Sequence, residues 1–212
     1  MAAFRLALRL GASGLESDVW LTSDGTTVLD HDGTIGGALR KQSISRMDRT
    51  RLPGHIPTLE ELYAEIGGTV PLSLDIKDPA AFSPTIDLAR AAGAEHQLWI
   101  CHPDLDLLIE WRRFTSARLV HSTRLGRLKD GPERHGARLR DVGIDAVNLR
   151  QGDWTGGLVT LYHRFERLTL GWDAQQPREL ANLFDAGIDG LFSDHPDRMA
   201  EAFRQYYPDR QT

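Results

Sequence analysis

The pattern of apolar and polar residues predicts strands where the two alternate, and helices where apolar residues recur with helical spacing. The predicted strands are residues 14–21, 28–31, 71–77, 97–102, 117–122, 145–149, 167–173 and 190–193. The predicted helices are residues 2–10, 58–66, 84–92, 104–113, 132–141, 155–163, 177–186 and 196–206. Helices and strands therefore alternate along most of the chain.

Glycines mark the connections between several predicted helices and the strands that follow them. Two examples are “DVGIDAVNLR” (141–150) and “DAGIDGLFSD” (185–194). Glycine often ends a helix in the left-handed conformation, and a tight turn into a strand is typical of repeated αβ units with a parallel sheet. Such units form either a closed barrel or an open doubly wound sheet. Because no glycine-rich phosphate loop opens a helix, we predict an α/β fold of the TIM-type (β/α)8 barrel class, forming one domain over residues 1–212.

The longest stretch without a predicted element is residues 33–57, which is rich in Gly, Arg, Ser and Pro. It follows a predicted strand and therefore lies at the C-terminal end of that strand. Irregular loops of this length in compact domains are usually functional. We therefore expect this loop to belong to the functional site.

Charged residues occupy one face of two predicted strands. Glu16 and Asp18 share a face of the first strand, and Asp75 and Lys77 share a face of a later one, while apolar residues take the opposite faces. In a parallel barrel the helices cover the outer face, so these charges would point into the barrel mouth. Three buried carboxylates repel one another, and a divalent cation such as Ca²⁺ or Mg²⁺, which prefers oxygen ligands, would resolve this. Lys77 would then suit an anion that also touches the metal.

An antiparallel sheet with one solvated, charged face would show the same alternation without any functional reason. The pattern of the two strands leaves this alternative open, although the repeated αβ connections favour parallel strands.

Two other residue types are candidates for chemistry. His31 ends a predicted strand beside the acids, where a histidine can act as an acid or base. His102 and His121 lie near strand ends and are weaker candidates. Trp172 ends another strand, where it would either form a wall of a substrate pocket or be a core aromatic.

Charge and composition exclude several classes of partner. The net charge is −5 and no basic patch is apparent, so we expect no nucleic-acid partner. No apolar run is long enough to span a membrane, so we expect no integral membrane association. The single cysteine, Cys101, gives no sign of an oxidising compartment, and we expect a cytoplasmic protein.

Four segments, in order along the chain, carry a family resemblance: “FRLALRLGASGLESDVWLTSDGTTVLDHD”, “IPTLEEL”, “LSLDIK” and “LTLGWDA…ELANLFDAGIDGLFSDHPDRM”. They resemble segments of the glycerophosphodiester phosphodiesterases, and the match extends over nearly the whole chain. The resemblance implies a metal-dependent barrel that hydrolyses a small-molecule glycerophosphodiester to an alcohol and glycerol 3-phosphate.

The resemblance also implies roles for individual residues. Glu16 and Asp18 would be metal ligands, and Asp75 would stand where the family usually has a glutamate ligand. Lys77 would hold the phosphate. His31 would be the general acid that protonates the leaving alcohol.

The family begins with a strand bearing His-Arg-Gly, followed by Pro-Glu-Asn-Thr, whereas this sequence begins inside the next helix. We therefore expect an incomplete barrel that lacks the first strand, with weak activity and with open edges that favour a homo-oligomer. Two other functions stay open at this stage. One is a related barrel enzyme that removes phospholipid headgroups in the manner of a phospholipase D. The other is a non-catalytic protein that binds phosphate or metal.

Overall fold

The computed structural model describes residues 1–37 and 41–208. Within them the helices are α1 Ala2–Arg9, α2 Leu59–Ile66, α3 Phe82–Ala91, α4 Leu105–Trp111, α5 Gly131–Asp141, α6 Gly156–Arg164, α7 Pro177–Ala186 and α8 Pro196–Tyr206. The strands are β1 Leu15–Leu21, β2 Thr27–Leu29, β3 Thr34–Ile35, β4 Gln42–Ser43, β5 Leu72–Ile76, β6 Leu98–His102, β7 Arg118–Ser122, β8 Ala146–Arg150, β9 Leu168–Trp172 and β10 Gly190–Leu191. Every predicted helix and strand is present, with ends that shift by a few residues.

The described chain divides into two compact units. The first contains Met1–Ala3, Gly14–Cys101 and Thr115–Ala117. The second contains Phe4–Ser13, His102–Phe114 and the described chain from Arg118 onward. The single domain predicted for residues 1–212 stays a prediction.

In the first unit, β1 pairs in parallel with β5, and β5 pairs in parallel with β6. The alternative of an antiparallel sheet for the two charged strands is therefore wrong. One strand does run the other way, since β2 returns antiparallel to β1 after a tight turn. In the second unit, β7, β8, β9 and β10 are paired in parallel in that order. The predicted alternation of helices with parallel strands is confirmed in both units.

The apolar side chains of β1 and β5 belong to the buried core. Val19, Leu74 and Ile76 are almost completely buried, as are Leu59 and Leu62 of α2. Helix α2 begins with a capping box in which the side chains of Thr58 and Glu61 each accept a hydrogen bond from the other's backbone N–H. Because the apolar faces are buried, the charged residues at alternate positions face the other way.

The stretch predicted to be an irregular loop, residues 33–57, contains folded structure. Strands β3 and β4 pair as an antiparallel hairpin, and two single-turn 3-10 helices follow, Ile44–Arg46 and Arg49–Arg51. A small core forms beneath them, made of Val28, Ile44, Met47, Leu52 and Ile56. The prediction missed this because strands of two residues are too short to show an alternating pattern.

Over the residues described here, no helix has the length and apolar character needed to cross a membrane.

Candidate active site

The two predicted acidic strands are neighbours, and their register places Asp18 directly opposite Asp75. The backbone N–H of Lys77 donates to the carbonyl of Val19, which extends this pairing one step beyond β5. The side chains of the three charged residues meet: the Lys77 ammonium donates to Asp75 Oδ2 at 2.5 Å and lies 3.0 Å from Asp18 Oδ1. The structure therefore brings Asp18, Asp75 and Lys77 together.

Burial makes this cluster electrostatically unusual. The side chain of Asp18 is 12% exposed, and those of Asp75 and Lys77 are 23% and 35% exposed. Burial raises the pKa of Asp18, and the nearby Lys77 only partly opposes this effect. Burial would also lower the pKa of Lys77, but the hydrogen bond and charge of Asp75, with the charge of Asp18, outweigh it and raise that pKa. The lysine thus stays charged, and two carboxyl groups share its single ammonium.

The donor atoms fit a divalent cation in part. Asp75 Oδ1 is buried and has no hydrogen-bond partner in the described structure, so it is an acceptor that a cation could satisfy. However, no three His, Cys, Asp or Glu side chains among residues 1–37 and 41–208 are grouped as a metal cage. Of the three predicted ligands, the structure brings together Asp18 and Asp75. Glu16 lies two residue pairs away on the same face, opposite Ser73. Two carboxylates with water completing the shell suit Mg²⁺ better than the many oxygen ligands that Ca²⁺ takes.

His31 lies in the turn that follows β2, and not at the end of a strand as predicted, because β2 ends at Leu29. Its side chain is 92% exposed, and Nδ1 lies 2.9 Å from Asp32 Oδ1. Since a carboxylate accepts, the proton of this bond is on Nδ1, which leaves Nε2 available for a substrate. The hydrogen bond with Asp32 and then the charge of Asp18 raise the pKa of His31. The imidazolium form that a general acid needs is thereby favoured.

The weaker histidine candidates lie in the second unit and are engaged in local contacts. His102 is buried, its Nδ1 accepts from the backbone N–H of Asp104, and its ring packs edge-on against Trp111. His121 is buried and bonded through both ring nitrogens, to the Pro103 carbonyl and to His135. These contacts give both histidines a structural role.

Trp172 ends β9 in the second unit, as predicted. The guanidinium carbon of Arg124 lies 5.4 Å from the centre of its ring, a cation–π arrangement. The predicted role of Trp172 in binding substrate stays a prediction.

The chain is similar to several known proteins. The sequence model described as “Glycerophosphoryl diester phosphodiesterase family” matches residues 1–77. A probable glycerophosphodiester phosphodiesterase 2 of Mycobacterium tuberculosis is 26% identical over 220 residues, covering 95% of this chain and 83% of that protein. A glycerophosphodiester phosphodiesterase of Caldanaerobacter subterraneus is 25% identical over 248 residues, covering 97% of this chain and 91% of that protein.

Several solved structures are also similar to this chain. A putative glycerophosphoryl diester phosphodiesterase from Silicibacter pomeroyi superposes with a TM-score of 0.83 at 20% identity, covering 95% of this chain and 86% of that one. An Oleispira antarctica phosphodiesterase, solved in complex with the product sn-glycerol-3-phosphate, superposes with a TM-score of 0.79 at 17% identity, covering 95% and 90%. The predicted fold class, a TIM-type α/β barrel, is confirmed by this likeness.

Proposed function

We propose that this chain, which is similar to the glycerophosphodiester phosphodiesterases, is a phosphoric diester hydrolase that cleaves glycerophosphodiesters into an alcohol and glycerol 3-phosphate. The observation that carries this proposal is the placement of the Lys77 ammonium between the carboxylates of Asp18 and Asp75. Such a cluster offers a cation for the phosphate and acidic oxygens for a metal in one place.

Asp18 and Asp75, together with Glu16, are the residues that would hold a divalent cation. The unpartnered Asp75 Oδ1 and the excess of carboxylate over ammonium support this assignment. When bound, Mg²⁺ or Ca²⁺ would supply charge neutralisation at the phosphoryl oxygens.

Lys77 and His31 would act on the substrate itself. The ammonium of Lys77 would bind a non-bridging phosphate oxygen, and its raised pKa keeps it charged. The protonated His31 would donate the proton on Nε2 to the oxygen of the leaving alcohol while Nδ1 donates to Asp32. General acid catalysis of this kind is typically worth about 10²–10⁴-fold.

A cytoplasmic location and a homo-oligomer stay predictions.

The proposal is tested by incubating the protein with glycerophosphocholine in the presence of Mg²⁺ or Ca²⁺ and measuring glycerol 3-phosphate. We expect release in the wild type and its loss in Asp18→Asn. Asp106→Asn is the matched control, because Asp106 also pairs with a basic residue, Arg138, but is exposed. Phosphate-ester binding without any turnover would instead support the non-catalytic alternative, and headgroup release from lysophospholipid alone would support the phospholipase D-like alternative.

The cation is tested separately, without activity. Calorimetric titration of the metal-stripped protein with Mg²⁺ should give binding heat, and Asp75→Asn should reduce it. Equal heats in the two proteins would reject Asp75 as a ligand.

A further inference from the structure

We infer that Trp20 is a positioning residue for His31, and that it acts by holding the turn formed by residues 30–33. This inference rests on the proposed role of His31 as general acid. The sequence pattern places Trp20 on the same face of β1 as Asp18 but assigns it no role.

Hydrogen bonds fix the turn from several sides. The indole Nε1 of Trp20 donates to the carbonyl of Asp30 at 2.8 Å. The Asp30 carboxylate accepts from the backbone N–H groups of Asp32 at 3.1 Å and Gly33 at 2.8 Å. The backbone N–H of Asp30 donates to the carbonyl of Asp18 at 3.2 Å. The turn that carries His31 is therefore tied to the strand that carries the acidic site.

The indole ring of Trp20 also packs tightly against the turn. Gly33 has φ +63°, and a Cβ at this position would collide with the Trp20 ring. This position thus needs glycine for both its conformation and its close approach to the ring. Trp20 and Ile35 also pack against the small core formed by Val28, Ile44, Met47, Leu52 and Ile56. Trp20 therefore joins β1, the turn and the folded part of residues 33–57.

The side chain of His31 contributes little to its own placement. It is 92% exposed, and it forms a hydrogen bond with Asp32, whose side chain is 73% exposed. Exposed pairs of this kind are weak and hold geometry poorly. The backbone of the turn must therefore set where the imidazole lies, and a displacement of about 1 Å in a reacting group can reduce the rate about 10²-fold.

The decisive variant is Trp20→Phe, which keeps an aromatic ring and removes the N–H donor. Trp154→Phe is the matched control, because Trp154 Nε1 also donates to a backbone carbonyl, that of Leu170, at 2.9 Å but in the second unit. Turnover is measured on glycerophosphocholine, whose leaving alcohol needs a proton, and on a glycerophosphodiester of p-nitrophenol, whose leaving group does not.

We expect Trp20→Phe to lower turnover of glycerophosphocholine by about 10–100-fold and turnover of the phenol ester by much less. Trp154→Phe should leave the ratio of the two rates unchanged. The double variant Trp20→Phe/His31→Ala should show the same ratio as His31→Ala, since a misplaced acid and a missing acid affect the same step. If Trp20→Phe does not fold, Asp30→Ala removes the other support of the turn and should shift the ratio in the same direction.

The outcomes separate this inference from the proposed function. If His31→Ala shifts the ratio and neither Trp20→Phe nor Asp30→Ala does, the positioning role is overturned while the acid role stands. An equal loss on both esters in Trp20→Phe would also overturn it, because that is the result of a merely structural role. If His31→Ala itself leaves the ratio unchanged, the acid role falls and the inference falls with it.

Hydrogen exchange at the Gly33 amide gives a readout independent of turnover. Faster exchange in Trp20→Phe than in wild type is expected, and unchanged exchange would contradict the inference.

Discussion

Two clusters of ionisable side chains, one in each unit, differ in how far they are buried and in how their hydrogen bonds are satisfied. In the first unit, Asp18, Asp75 and Lys77 are joined by two ion pairs and remain partly open to solvent. In the second unit, His121, His135 and Tyr162 form a chain of hydrogen bonds whose three side chains are all buried. Both contain groups that could carry chemistry.

The chain in the second unit is neutral and fully satisfied. His121 Nε2 must carry its proton, because the Pro103 carbonyl 3.1 Å away can only accept. His121 Nδ1 then accepts from His135 Nε2 at 2.8 Å, and His135 Nδ1 accepts from the Tyr162 hydroxyl at 2.8 Å. Burial, followed by the charges of His121 and Arg138, lowers the pKa of His135 to about 4. Burial likewise lowers the pKa of His121 and raises that of Tyr162.

The charged cluster differs in what it leaves unsatisfied. It holds two carboxylates for one ammonium, and Asp75 Oδ1 has no partner within the described residues. A buried network that satisfies all its members stabilises one structure, whereas a partly satisfied charged network is ready to bind a ligand. We therefore expect the cluster with an unsatisfied acceptor to bind a ligand, and the fully satisfied chain to have a structural role.

The strongest test of this comparison is Lys77→Ala, which removes the one cation of the charged cluster. We expect turnover of glycerophosphocholine to fall by about 10²–10³-fold, the usual effect of losing one group that stabilises developing charge. Lys41→Ala is the control, because Lys41 is an exposed lysine of the same unit. A loss of less than tenfold in kcat/KM would show that the cluster does not contribute its positive charge to the reaction.

The second prediction concerns the pH dependence of stability. Because the folded pKa of His135, about 4, lies below its ordinary value of 6.5, the unfolded chain binds the proton more readily between these values. The stability that His135 contributes is therefore fully present above about pH 6.5 and is lost as pH falls through about 4. At about 1.4 kcal/mol per pKa unit the loss is on the order of 3 kcal/mol.

Urea unfolding of wild type and His135→Gln across pH 4–7 measures this loss. The difference in the free energy of unfolding between the two proteins should shrink as pH falls, since other groups titrate alike in both. A difference that stays constant with pH would show that His135 is not held neutral by the fold.

The third prediction is Tyr162→Phe, which removes the donor to His135 Nδ1 and keeps the ring. We expect a loss of about 1–3 kcal/mol in the free energy of unfolding, the cost of an unsatisfied buried acceptor. Turnover by the folded protein should not change. Tyr206→Phe is the control, because the Tyr206 hydroxyl also donates, to Asp185 at 2.7 Å, but at an exposed site. If both variants lowered the free energy of unfolding by the same amount, burial of the His121–His135–Tyr162 chain would have no special effect on stability.

The sequence was sufficient to predict the α-helices, every described strand except β3 and β4, and the charged cluster. Helical spacing and the capping box at Thr58 located α2, and alternation placed Glu16 and Asp18 on one face of β1. These signals are local, and the parallel pairing of β1 with β5 then brings Asp18 and Asp75 together.

Contacts that depend on distant segments were not predictable. Nothing in an alternating pattern shows that β2 ends at Leu29, which leaves His31 in a turn, or that the Trp20 ring packs on that turn. The position of His121 near a strand end suggested chemistry. Its side chain instead contacts His135 of α5, and this depends on how the helix packs against the strand. A period-two pattern predicts on which face of a strand a residue lies, but it does not predict which other side chains pack against that face.

The smallest expected effect is that of Arg138→Gln, which tests whether burial or charge keeps the chain of histidines neutral. Arg138 lies on α5 with His135, and its guanidinium is 3.2 Å from Asp106 in an exposed ion pair. Losing such a pair costs at most about 0.5–1 kcal/mol. The charge of Arg138 is the weakest of the three causes that lower the pKa of His135, behind burial and His121.

We therefore expect the pH range over which the protein loses stability to move only slightly toward higher pH in Arg138→Gln. Asp106→Asn breaks the same pair without removing the cation, so it separates the two effects in urea titrations at pH 5 and pH 7. If Arg138→Gln abolished the pH dependence, the neutrality of His135 would come from a neighbouring charge, and the contrast between a charged cluster and a buried neutral one would fail.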